Sequence, residues 1–145
     1  MPAFESQIIK GYVGIPFVDH GRDRKGCDCW GLVRLVHLLE AGIELPLHSE
    51  ISARELLAVA RRIRAGSVSK IWVDVAHLPR RPMDVVLMKK AEDHGKRAWH
   101  LGIMRDGKTI LHTEDGVDSH LAPLDDDNVW LRHRIVGFRR HRDLA

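Results

Sequence analysis

Apolar positions recur at helical spacing through Leu32, Leu35, Val36 and Leu39, and Gly42 follows just past Ala41. That pattern predicts a helix closed by a glycine C-cap. A second helix is announced by "SARE", where Ser52 can cap and Glu55 sits three residues on, followed by Leu56, Val59, Ala60 and Ile63 and a stop near Gly66. After Lys70 the pattern changes to short β-type runs, "IWVDV", "DVVLM", "WHLGIM", "TILHT" and "VWLRHRIVGF", separated by turns rich in Pro, Gly and Asp. Helices first and strands later predict an α+β fold with an antiparallel sheet in the second half. The polar loop "KKAEDHGKRA" between two of the strands is a candidate border of a site.

The chain has 145 residues and a mass of 16.5 kDa, the size of one domain, so residues 1–145 are expected to form a single unit that needs no disulfide or metal staple. Hydrophobic residues make up 44% and charged residues 30%, which excludes extended disorder. No apolar run approaches the roughly 20 residues of a membrane span. "MPAFESQIIKGYVG" lacks the basic start and long apolar stretch of a signal peptide, so synthesis in the cytoplasm is expected. The formal charge of +3 and the pI near 9.1 imply weak attraction to polyanions. They do not mark a specific nucleic-acid binder, because the basic cluster "RHRIVGFRRHR" interleaves with an apolar strand pattern as a solvated face does.

The only two cysteines, Cys27 and Cys29, stand one residue apart where the first helix begins. A bond between them would close a very small ring, and cytosolic chains seldom keep disulfides. A structural zinc site would need a second ligand pair at matching spacing, and none follows. The third reading is a nucleophile. Cys29 falls in the first helical turn, where free backbone N–H groups and the helix dipole favour thiolate over thiol, which predicts alkylation below the ordinary thiol pKa of about 8.5. The competing reading is a small buried cysteine with a packing role. A nucleophile also needs a base and a group to orient that base. "WHLGIMRDGKTILHT" supplies two candidates, His100 at the start of one strand and His112 near the end of the next.

Taken in order, "GIPFVDHGRDRKGCDCWGLVRLVHLLEAGIELP", "PMDVVLM" and "HLGIMRDGKTILHT" resemble the NlpC family of papain-like cysteine peptidases. The matching features are a Gly-x-Pro-aromatic segment, an Asp-Cys-x-Gly helix start, a Pro-Gly-Asp-like strand start, and a His-x-Gly strand followed by a strand with a second polar residue. The resemblance implies a papain-like fold, N-terminal helices packed on an antiparallel sheet. It implies Cys29 as nucleophile, His100 as general base, His112 as the residue orienting His100, and Asp28 as a position that recognises the substrate's amino end. Phe17 stands where many members have tyrosine, Trp30 where serine is common and Met83 where the strand start has glycine, so Phe17 and Trp30 are expected to shape the substrate pocket. The implied substrate is a peptidoglycan stem peptide, cleaved with no metal or organic cofactor.

"DVVLM", "ILHT" and the closing "IVGFRRH", with the missing signal peptide, look most like the branch found in phage tails and gene-transfer particles. Phage tail proteins are then the expected partners, and delivery on a tail would bring the protein to the cell wall. Two alternatives stand beside this reading. One is a tail-assembly or structural module with the same fold and no turnover. The other is an amidase or acyltransferase that uses the same three residues on a different acyl group. Hairpin geometry bears on all three: a loop of Arg105, Asp106 and a left-handed Gly107 would set Met104 opposite Lys108, Leu101 opposite Leu111 and His100 directly opposite His112. His100 would then point at the start of the Cys29 helix with His112 behind it.

Overall fold

The computed structural model describes residues 11–48, 51–52, 56–89, 98, 100–124 and 128–145. A small antiparallel ribbon, β1 (Arg22–Asp23) and β2 (Gly26–Cys27), leads into helix α1 (Cys29–Ala41), which is followed by α2 (Leu56–Ser67). The rest is a six-stranded sheet of β3 (Trp72–Asp74), β4 (Val85–Met88), β5 (His100–Met104), β6 (Thr109–Glu114), β7 (Val117–Pro123) and β8 (Ile135–His141), with helix α3 (Val129–Arg134) before β8. The strand order is β3-β8-β4-β5-β6-β7, and every pairing is antiparallel. The expected α+β architecture is present. The loop residues 90–97 and the approach to α2 at residues 53–55 lie outside the described residues.

Helix α1 starts and stops for local reasons. The Asp28 side chain accepts from Gly31 N at the N-cap, and Gly42 takes a left-handed conformation (φ 67°) at the C-cap, with its N–H and that of Ile43 returning to Leu38 and His37 carbonyls. Between the caps, Leu32, Val33, Leu35 and Val36 are buried against Val85, Leu87, Leu101, Ile103 and Leu111 of the sheet. Even-numbered positions of the same strands face the other way. Val86, Met88, Met104 and Ile110 form a second core with Leu131 of α3, Val75 and Phe138. The sheet is therefore covered on both faces, and the alternation of its strands decides which layer each side chain enters.

The acidic residue of "PMDVV" fixes the middle of the sheet. Asp84 is fully buried and receives Arg140 Nε and Nη2 at 2.7 and 2.9 Å, tying the start of β4 to β8. Met83, just before it, has φ 73°, a left-handed conformation normally left to glycine, and its side chain is buried in the first core.

Three expectations change. "VWLRHRIVGF" is not one strand: Asn128 Oδ1 accepts from Leu131 N and starts α3, and the strand begins only at Ile135. An N-cap and one buried leucine suffice for this short helix, and a run of alternating residues does not announce it. Strand β7 was not in the pattern, because among its residues only Ser119 is fully buried and no apolar alternation marks it. The β5–β6 hairpin also differs in register, since Ile103 pairs with Leu111 and Met104 with Ile110. The connection therefore runs from Arg105 to Thr109, and Gly107 is not left-handed. Asp106 builds this loop, accepting from Lys108 N and Thr109 N through Oδ1 and from Arg105 through Oδ2, while Arg105 N bonds to Thr109 O.

The glycine two residues after Cys29 has a steric reason. A Cβ on Gly31 would fall 2.1 Å from the Gly21 carbonyl oxygen and 3.0 Å from the Cys27 Cβ, so only glycine lets the β1–β2 ribbon lie against the helix start. Gly31→Ala is expected to lower stability by about 1–3 kcal/mol in a urea titration; an unchanged midpoint would refute this contact.

Candidate active site

Cys29 is nearly buried at the first position of α1. Its sulfur is faced by the backbone N–H groups of Leu101 and Trp30. The Leu101 donor is available because of the sheet geometry. Met104 N donates to Asp84 O on the β4 side, so N–H groups at odd positions of β5 face β6, and β5 and β6 pair only over Ile103 and Met104. Before Ile103 the two strands part, and the helix start meets β5 there, beside the residue that follows His100.

His100 and His112 come together as expected, by a different route. In the observed register they are diagonal neighbours on one face, with His100 Nε2 and His112 Nδ1 2.9 Å apart and the ring centroids 5.1 Å apart. Diagonal positions lie roughly 7–8 Å apart, a gap two imidazoles can span. Direct opposition of the two histidines, and of Leu101 with Leu111, is thus corrected. The face they share is that of Met88 and Ile110, opposite the Leu101 face on which Cys29 packs. The expectation that His100 points at the start of the Cys29 helix is therefore also corrected, and no hydrogen bond joins the Cys29 thiol to the His100 ring. His112 also packs on His120, with centroids 4.4 Å apart.

Two further residues complete the cluster. Glu114 Oε1 lies 3.8 Å from His100 Nε2 and pairs with Arg134 Nη2, while Arg134, buried at the end of α3, donates from Nε to Lys89 O. Neither was singled out from the sequence. Glu114, two residues after His112, was recoverable from strand alternation, whereas Arg134 was hidden by the reading of α3 as strand.

The electrostatics reverse one expectation. Burial pushes the Cys29 thiol up to about 12, and the adjacent Asp28 carboxylate pushes the same way, against the weaker pull of the Leu101 and Trp30 N–H groups. The helix start does not win here, because a thiolate would have to shed its water. Cys27 is fully buried and, also chiefly by burial, pushed up to about 12, and both cysteines are free. Burial likewise holds the imidazoles neutral: His100 falls to about 3 and His112 to about 4, each also disfavoured by a neighbouring histidine. The thiol and both rings therefore rest uncharged.

Asp28 has a structural task. Its carboxylate is buried, with Oδ1 accepting from Gly31 N and Arg22 Nη1 at 2.8 Å each and Oδ2 from His20 N at 3.1 Å. Trp30 is half-buried and donates from Nε1 to Pro46 O. Phe17 is half-buried and bridges Cys27 through the backbone. A cavity of about 300 Å³ opens beside Cys29, lined by Trp30, Leu45, Ile63, Trp72 and Leu101 among others. Its wall is mostly apolar. Trp30 lines it, and Phe17 is not part of its lining.

The sequence pattern of the NlpC/P60 family matches residues 14–140, and the chain belongs to that family. No protein of curated function matches the sequence. Among solved structures, the fold is similar to that of an NLP/P60-family protein described as similar to lipoprotein, from Staphylococcus aureus, with a TM-score of 0.63 and 20% identity over 95% of this chain and 40% of that one. It is similar to the NlpC/p60 domain of the peptidoglycan hydrolase SagA, with a TM-score of 0.53 and 18% identity over 85% of this chain and 89% of that one. A NlpC/P60-family protein from Bacillus cereus gives a TM-score of 0.61 and 18% identity over 97% of this chain and 40% of that one. This chain thus spans well under half the length of the Staphylococcus and Bacillus proteins.

The buried imidazoles set a pH dependence. Their pKa values in the folded protein lie below the unfolded value of about 6.5, so their contribution is fully present above that value and is lost as pH falls toward about 4. Buried His37, also lowered to about 4, acts in the same direction. Thermal melts are expected to show stability falling by roughly 2 kcal/mol or more across this window, and less steeply in His112→Asn. A flat profile would mean that the rings are charged or solvated in the native state.

Proposed function

We propose that this protein is a cysteine peptidase that hydrolyses amide bonds in peptidoglycan stem peptides. One observation carries the reading: a thiol at a helix start, met by the backbone N–H of Leu101, beside a hydrogen-bonded pair of histidines whose first member directly precedes Leu101. Membership of the NlpC/P60 family and the likeness to the domain of a peptidoglycan hydrolase support the substrate class.

In this mechanism Cys29 is the nucleophile and His100 the base. The resting thiol is neutral and the His100 ring lies on the other face of β5. Its proton therefore passes to His100 through a bridging water at the end of β5 as sulfur attacks the scissile carbonyl, while backbone N–H groups at the helix start receive the oxyanion. His100 returns the proton to the leaving amine, and a thioester is left on Cys29. Water, deprotonated by the same ring, releases the acyl product and restores the thiol. His112 holds the ring orientation through its Nδ1. Trp30 and the apolar cavity hold the part of the substrate next to the carbonyl. Asp28 acts at the substrate's amino end. The single-domain organisation of residues 1–145 and action at the cell wall belong to the same proposal. Delivery by a phage tail rests on the motif resemblance alone.

A second reading is favoured by a specific feature. The near-complete burial of Cys29 and its raised pKa suit a packed residue in a module with the same fold and no turnover. Purified protein incubated with peptidoglycan, with the released fragments identified by mass spectrometry, separates the two. Cleaved stem peptides are expected from the parent chain, none from Cys29→Ala, and most of the parent rate from Cys27→Ser. Equal release by Cys29→Ala and the parent chain would refute the assigned nucleophile, and no release from either would favour the silent module. Products other than cleaved stem peptides would point to an amidase or acyltransferase.

A further inference from the structure

His100, His112 and Glu114 are the one group among the described residues that brings three candidate ligand atoms within 4.8 Å of one another. The two ring atoms that face each other, His100 Nε2 and His112 Nδ1, are 2.9 Å apart, and Glu114 Oε1 is 3.8 Å from the first. A tetrahedral zinc ion with bonds of about 2.0–2.1 Å spaces its ligand atoms about 3.3 Å apart, so these atoms need to move by under about 1 Å to fit. Arg134 pairs with Oε1 and holds the carboxylate in place, and a carboxylate oxygen keeps a second lone pair for a metal. The histidines are buried, while the Glu114 side chain is 33% exposed, which leaves an entry path and room for a water as fourth ligand.

We propose that these three residues form a zinc-binding site that silences the imidazole pair. Two imidazoles and a carboxylate select zinc over calcium or magnesium, which prefer all-oxygen shells. The effect on His100 follows from its tautomers. Without metal, Nε2–H can donate to His112 Nδ1 and leave Nδ1 of His100 unprotonated, able to take a proton. Zinc on Nε2 forces the ring proton onto Nδ1 and removes that capacity, with no change in the net charge of the ring. Cys29 is not a ligand of this site. The binding statement stands apart from the proposed hydrolysis, and the silencing statement rests on it.

Calorimetric titration with zinc chloride tests the binding on the Cys29→Ala protein, where no nucleophile is present. One zinc per chain is expected in Cys29→Ala with the parent affinity, weakened at least about tenfold in Glu114→Gln and abolished in His112→Gln. Loss of binding in Cys29→Ala would overturn the site by moving the metal to the thiol, and undiminished binding in both of the other variants would overturn it as well. The unmutated chain gives a check that needs no folded variant. Cobalt(II) should produce ligand-field bands without the near-ultraviolet charge-transfer band of a thiolate ligand, and the appearance of that band would refute the assignment.

Discussion

A single buried carboxylate organises the start of helix α1. Asp28 caps the helix through Gly31 N, holds the Arg22 guanidinium and receives His20 N, so the ribbon, the loop before it and the first helical turn are fastened at one point. Cys29 is the next residue, and its place beside β5 depends on that clamp. The same arrangement has an electrostatic cost. A carboxylate next to the sulfur, in a site with little water, opposes ionisation of the thiol, and the helix-start donors do not offset it. Burial keeps the thiol protonated, and the clamp that positions it adds to the effect.

This balance shapes the chemistry available. A preformed thiolate and imidazolium pair is disfavoured when both groups are buried, so reactivity has to come from proton transfer during attack, and the group that receives the proton must be neutral beforehand. The two buried histidines satisfy that requirement through the same desolvation that raises the thiol. Glu114 and Arg134 lie next to them with compensating charges, which keeps the cluster close to neutral.

Much of this was legible along the chain. Asp28 and Gly42 carry their own capping chemistry, and the stripe of Leu32, Leu35 and Val36 needed only a sheet to pack on. The histidine pair was readable because its shared face depends on loop parity. A loop of three residues and the observed connection from Arg105 to Thr109 both hold an odd number, so His100 and His112 stay on one side even though the partner shifts from opposite to diagonal. What escaped was tertiary. Asp106 folding its own loop, Arg134 arriving from a six-residue helix and the desolvation of Cys29 all depend on what packs nearby, which the order of residues does not record.

Nitrogen NMR of labelled histidine side chains reads the protonation of His100 and His112 directly. The account predicts that at pH near 6.5, where half of an ordinary histidine is charged, both rings stay neutral and share one hydrogen bond between Nε2 and Nδ1. An imidazolium at His100 under these conditions, lost in Cys29→Ala, would show that the thiol is already ionised and would contradict the neutral resting site.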